Sequence, residues 1–178
     1  MTPEDIKALV RTVPDFPKPG ILFRDITTVL RDGEGFGATV RLLAEGAAAS
    51  RPSAIAAIEA RGFIFGAGVA AQLGLGLIPV RKAGKLPVSA IGIDYALEYG
   101  ADRLEIDPGA VSPGERIVLI DDLIATGGTA LAAASLLRRA GAEVARALFV
   151  IDLPDLGGAG RLREGGIAVS AVVAFPGH

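Results

Sequence analysis

Apolar positions along the chain follow two alternating rhythms. Ala54-Ile55-Ala56-Ala57-Ile58, Leu77-Ile78-Pro79-Val80, Ile117-Val118-Leu119-Ile120, Ala147 to Ile151 and Ile167 to Val173 are apolar at nearly every position and read as strands covered on both faces. Between them the spacing changes to three and four. Phe36, Val40, Leu43 and Ala47 mark one face of a helix over 34–50, Phe63 to Leu73 reads as a helix stopped at Gly74, and Ala130 to Ala140 as one ended by Gly141. Buried strands separated by helices predict an α/β fold: a mostly parallel sheet flanked by helices and joined by right-handed crossovers.

Two stretches break this rhythm. At the start, Thr2-Pro3-Glu4-Asp5 combines an N-cap, a first-turn proline and acids, with Ile6, Leu9, Val10 and Val13 following at helical spacing. A proline-rich connector over 14–20 comes next, then Ile21 to Asp25 as a short strand or loop. Between Lys82 and Asp107, Val88 to Ile93 and Leu104 to Ile106 read as exposed strands around a polar middle, more like a hairpin than a crossover, and suited to a mobile flap. Gly157-Gly158-Ala159-Gly160 reads as a loop or the frayed start of a helix.

Composition narrows the chemistry. The 178 residues, 51% hydrophobic, suit one domain with a sizeable core, and no apolar run approaches the ~18 residues of a membrane span. The acidic first residues fit neither a secretory signal nor a transit peptide, so a cytoplasmic protein is expected. Without cysteine, and with His178 as the sole histidine, thiolate metal sites, cysteine nucleophiles and histidine triads are excluded. A net charge of −2 carries no overall footprint for nucleic acid or an anionic membrane.

In parallel sheets ligands bind beyond the carboxyl ends of the strands. One such end stands out: Ile117 to Ile120 runs into Asp121-Asp122, then Leu123-Ile124, then Ala125-Thr126-Gly127-Gly128-Thr129 ahead of a helix. Glycines let backbone N–H groups close around a phosphate, the threonines add hydroxyls, and the helix start adds its dipole. Paired carboxylates accept hydrogen bonds from vicinal hydroxyls, so acids before a phosphate cradle suit a ribose 5-phosphate. The loop has neither the Gly-Lys of a Walker loop nor the glycine spacing of a dinucleotide fingerprint.

This loop resembles the phosphoribosyl pyrophosphate (PRPP) motif of the type I phosphoribosyltransferases. Three further segments are similar to the adenine-specific members: Phe16 to Ile26, Glu59-Ala60-Arg61-Gly62-Phe63, and Arg81-Lys82-Ala83-Gly84-Lys85-Leu86-Pro87 with Glu98-Tyr99-Gly100. The resemblance spans roughly Pro14 to Gly141. It implies that the chain is one phosphoribosyltransferase domain, with an N-terminal arm and hood over 1–35 and a flexible flap over 82–107. It implies a Mg²⁺-dependent transfer of ribose 5-phosphate from PRPP to adenine, giving AMP and pyrophosphate by displacement at C1′.

By the same resemblance, Ala125, Thr126, Gly127, Gly128 and Thr129 hold the 5-phosphate, and Asp121 and Asp122 the ribose. Arg61, Gly62, Arg81, Lys82 and Lys85 hold pyrophosphate. Phe23 stacks on the base while the backbone of Leu22 and Arg24 reads its edge; the other six phenylalanines are assigned to the core. Glu98 is the proton-transfer group at the purine, and Tyr99 closes over the ribose. Mg²⁺ is carried mainly by PRPP rather than by a protein cage, and a homodimer is expected. Two other readings stay open: a relative using hypoxanthine, guanine, xanthine or orotate, and a regulator that senses purine or PRPP to control nucleic acid.

Overall fold

The computed structural model describes residues 1–96 and 100–177. Helix α1 (Pro3–Leu9) starts at Thr2, whose hydroxyl accepts from the Asp5 N–H while its own N–H donates to the Asp5 carboxylate, a reciprocal capping box. Val10 is already extended, so Val13, expected on the helix face, falls in β1 (Arg11–Pro14). This strand pairs antiparallel with β2 (Leu22–Asp25) in a separate two-stranded sheet, tied by Arg11 donating to Asp25 at 3.0 Å. A short helix α2 (Thr27–Arg31), which no periodicity marks, leads to α3 (Gly33–Ala48), capped by the Asp32 carboxylate on the Gly35 N–H.

The alternating elements follow as β3 (Ala54–Ile58), α4 (Arg61–Leu73), β4 (Gly76–Lys82), the hairpin β5 (Ile91–Ala96) and β6 (Ala101–Ile106), β7 (Arg116–Ile124), α5 (Gly128–Arg139), β8 (Glu143–Asp152), α6 (Gly158–Glu164) and β9 (Ala168–Ala174). Gly74 ends α4 at φ +66, a left-handed cap that costs other residues strain. Seven strands form one sheet in the order β5-β6-β4-β3-β7-β8-β9. The five from β4 to β9 are mutually parallel and the hairpin is antiparallel at the edge. None of the helices in the described residues is long and apolar enough to cross a membrane.

The two central strands feed two cores by simple alternation. Ile55, Val118 and Ile120 pack with Leu43, Phe65 and Val69 of α3 and α4, whereas Ala56, Ile58, Ile117 and Leu119 pack with Ala133, Leu136 and Leu137 of α5. The expectation of exposed strands in the hairpin fails for β6. Leu104 and Ile106 are fully buried in the α5-side core because β6 docks on β4 at Arg81↔Glu105 and Lys82↔Leu104. β5 begins at Ile91, and Val88 stays outside it and exposed.

Candidate active site

Strand β7 does not stop at the acids: its pairing with β3 ends at Ile120, but its pairing with β8 continues to Ile124↔Asp152, so Asp121 and Asp122 are held on a strand that stays fixed on the β8 side. Asp122 is only 5% exposed, and Arg61 at the start of α4 donates through Nε to its Oδ2. The Asp122 N–H donates to Asp121 Oδ1 at 2.8 Å. Burial, and then the neighbouring Asp122 carboxylate, push the Asp121 carboxyl well above its ordinary range, with Arg61 partly opposing. Gly62 makes this closeness possible: a Cβ there would lie 2.8 Å from Asp121 Oδ1 and 3.1 Å from the Ile120 carbonyl.

Beyond Ile124 the chain turns through Ala125 and Thr126 to Gly127, which caps α5 in the left-handed region at φ +84. The first N–H groups of α5 have no partner within the helix, so the turn offers donors and the positive end of the dipole. These five residues, both acids, Glu59, Arg61 and Lys82 line one cavity of about 320 Å³. Its lining combines carboxylates, backbone donors and two cations, Arg61 and Lys82.

Arg81 and Lys82 are held by partners to which the sequence assigned no role. Glu59, directly after β3, accepts from Arg81 Nε at 3.0 Å and from the Lys82 backbone N–H at 2.8 Å. Partial burial works against its ionisation, but these hydrogen bonds and the Arg81 charge outweigh it and hold the carboxyl below its usual range. Lys82 Nζ lies 2.9 Å from Tyr95 Oη and is also bonded to Asp102, both on the hairpin. Burial alone would lower the Lys82 pKa; Asp102 and Tyr95 raise it. Arg81 thus stands behind Glu59 rather than on the cavity wall, and Gly62 backs the wall under Asp121. Lys85 sits on the exposed turn after β4, where its carbonyl accepts from Arg81 at 3.5 Å.

A second cavity of about 630 Å³ opens beside the first, and Arg61 lines both. It is walled by β2 and the connector before it: Phe23 meets Phe16 edge-on at 5.1 Å, and the Arg61 guanidinium lies 5.8 Å from the Phe23 ring. Phe16, expected in the core, is instead a half-exposed wall of this cavity. Arg24 lines the cavity and Leu22 does not. The Arg24 guanidinium stacks 4.6 Å from the Phe175 ring, while donating to Thr12 Oγ1 at 2.6 Å and to the Pro176 carbonyl at 3.3 Å. The C-terminal segment so grips the hood from behind without entering either cavity. Glu98 and Tyr99 lie outside the described residues; Ala96, before them, has its carbonyl 3.3 Å from where a Gly128 Cβ would stand.

The polar cavity suits an anionic sugar phosphate and the aromatic one a flat base, meeting at one guanidinium. Sequence reasoning missed Tyr95 and Asp102, and gave no role of their own to Glu59 and Phe16, which it quoted only within matching segments. Glu59 directly follows a buried strand, which was a usable signal; Tyr95 and Asp102 depend on hairpin register and had none.

A family model described as the phosphoribosyl transferase domain matches residues 28–162. The adenine phosphoribosyltransferase of Erythrobacter litoralis is 69% identical over 178 residues, all of both chains. Among solved structures, adenine phosphoribosyltransferase from Thermoanaerobacter pseudethanolicus is 45% identical with a TM-score of 0.92, covering 98% of this chain and 100% of that one. The Saccharomyces cerevisiae enzyme, complexed with adenine and an imino-altritol bisphosphate, is 35% identical with a TM-score of 0.88 over 96% and 98% of the two chains.

Proposed function

The chain belongs to the phosphoribosyl transferase domain family, among its adenine phosphoribosyltransferases, and from that premise we propose that it joins adenine to the ribose 5-phosphate of PRPP, releasing pyrophosphate and forming AMP in purine salvage. The observation that carries this reading is the pair of adjoining cavities, one polar and one aromatic, that share Arg61. Adenine lies on Phe23 within the hood, 1–35, with the backbone of Leu22 and Arg24 at its edge. The 5-phosphate sits in the Ala125–Thr129 turn and the ribose hydroxyls on Asp121 and Asp122. Arg61 and Lys82 face the pyrophosphate, with the Gly62 backbone behind the wall and Arg81 and Lys85 adding positive charge there.

Displacement at C1′ leaves negative charge on the departing pyrophosphate, and donors already fixed in place stabilise it without reorganisation. Glu98 handles the proton at the purine ring, and the 82–107 flap, with Tyr99, closes over the ribose and excludes water. The donor set fits Mg²⁺ as a companion of PRPP. Both acids line the cavity, yet Asp122 is engaged by Arg61, so PRPP oxygens supply most ligands. When bound, Mg²⁺ screens the pyrophosphate oxygens and favours their departure.

The protein works as a cytoplasmic single-domain homodimer without nucleic acid or membrane. The dimer reading is supported by exposed Ile64 on α4 and Leu77 on β4, and light scattering that gives a monomer would remove it. The activity is tested by measuring AMP formation from adenine and PRPP with Mg²⁺, beside hypoxanthine, guanine and orotate, with Asp121→Asn/Asp122→Asn as control. Adenine-dependent product lost in the control is the expected result. Turnover of another base would overturn the hood assignment, and no turnover of any base would overturn the enzyme.

A further inference from the structure

The phosphate cradle does not hold its own shape. Its two outward carbonyls are taken by α6, the helix that grows from the glycine-rich segment to which the sequence attached no role. The Gly158 N–H donates to the Ala125 carbonyl at 3.0 Å, and Arg161, one turn on, donates through its guanidinium to the Thr126 carbonyl at 3.1 Å. In a planar trans peptide the N–H points opposite to the C=O. Fixing the Ala125 and Thr126 carbonyls on the α6 side therefore turns the Thr126 and Gly127 N–H groups to the other side, and both residues line the polar cavity while α6 does not. The approach is close: a Cβ on Gly127 would stand 2.9 Å from Gly158 Cα, and one on Gly158 would stand 2.7 Å from Gly127 N and 2.9 Å from Ile124 Cγ1.

We infer that Gly158 and Arg161 are positioning residues for the 5-phosphate: α6 is a brace that aims the cradle's N–H donors, with Gly158 required by contact distance and Arg161 by the hydrogen bond it makes to Thr126. The inference rests on the phosphoribosyl reading of the cradle and assigns part of that binding energy to a helix outside both cavities. It also separates the two ends of the substrate, because α6 touches the phosphate turn, whereas the pyrophosphate end is held by Arg61, Glu59 and Lys82 on other elements.

The test uses the full chain, with ribose 5-phosphate and inorganic pyrophosphate as separate probes in titration calorimetry, alongside KM for PRPP and kcat. Arg161→Met, at an exposed position, is expected to weaken ribose 5-phosphate about tenfold, the loss of roughly one charge-assisted hydrogen bond acting through the turn, and to raise KM for PRPP more than it lowers kcat. Pyrophosphate affinity and melting temperature stay at the wild-type values, and Arg161→Lys regains most of the loss. Gly158→Ala loses ribose 5-phosphate more strongly and also melts lower, because its Cβ would stand 2.3 Å from the Ala125 carbonyl. Ribose 5-phosphate binding by Arg161→Met equal to wild type overturns the brace, as does an equal loss for pyrophosphate, which would mark general damage. Wild-type protein that neither binds ribose 5-phosphate nor forms AMP overturns the phosphoribosyl reading and the brace with it; active wild-type protein with an unaffected Arg161→Met removes the brace alone.

Discussion

At residue 62 a hydrogen stands where any other amino acid would place a carbon, and two atoms of the central strand occupy the space that carbon would need. Gly62→Ala must displace either Asp121 or the first turn of α4. We expect kcat/KM for PRPP to fall about tenfold or more, near 1.4 kcal/mol of transition-state binding, with little change in adenine affinity, as steady-state kinetics on both substrates will show. Asp121 carries a second consequence. Its carboxyl titrates well above the ordinary 3.8, because burial and the Asp122 charge disfavour the anion. As pH rises past 3.8 the unfolded chain loses this proton before the native one, so native stability is drawn down until the folded group has also ionised. Asp121→Asn removes that penalty: its melting temperature is expected to gain on wild type as pH rises above 3.8, while PRPP binding is lost. Parallel pH profiles for the two proteins would show that the buried carboxyl ionises freely.

Among the elements, the β1–β2 hairpin carries the aromatic cavity on very little hydrogen bonding of its own. Asp25 at its end accepts from the Thr27 N–H at 2.9 Å and from Arg11 at 3.0 Å. The Thr27 hydrogen bonds first, then Arg11, lower its pKa to about 2. A depressed carboxyl stabilises fully above its unfolded value of 3.8 and loses that contribution as pH falls towards 2, so acid should loosen the hood in that window. Asp25→Asn is expected to raise KM for adenine several-fold at neutral pH, leave KM for PRPP near wild type, and flatten the acid limb of the melting profile.

How much of this was legible follows element by element. β3 was read to the residue, α4 was read to within two residues at its start with its stop at Gly74, and the acids and cradle were located by type. Each of these is specified locally, by a continuous apolar run or a glycine at a left-handed turn. β1 and α2 were not legible, because four- and five-residue elements are too short for periodicity and depend on what they pack against, and the hood was reached only through its resemblance. The burial of β6 was hidden for another reason: Leu104 and Ile106 alternate with polar residues, a pattern that fits a surface hairpin as well as an edge strand with one face on the core.

Across the whole molecule, one side chain joins what the sheet and the hood hold separately. Arg61 bonds Asp122 in the sheet and lies against Phe23 in the hood, so Arg61→Met is expected to weaken both adenine and PRPP, whereas Arg81→Met, standing behind Glu59, weakens PRPP alone. Isothermal titration of each ligand against both variants will distinguish them, and equal adenine affinity in the two would sever the link. The sheet itself is unevenly fastened. β5 and β6 are joined to each other at six paired positions, but β6 is joined to β4 at only two, Arg81↔Glu105 and Lys82↔Leu104. In deuterated water this difference becomes a clock. Amides of β7 from Ile117 to Ile120, paired on both sides, can exchange only when the whole domain unfolds, while those of the hairpin can exchange through a local opening that breaks two rungs and the Lys82–Asp102 bond and lifts Leu104 and Ile106 from the core. Phosphoribosyl ligands that engage Lys82 would then slow exchange in the hairpin by holding it shut, and in the central strand only through the added cost of unfolding the whole domain.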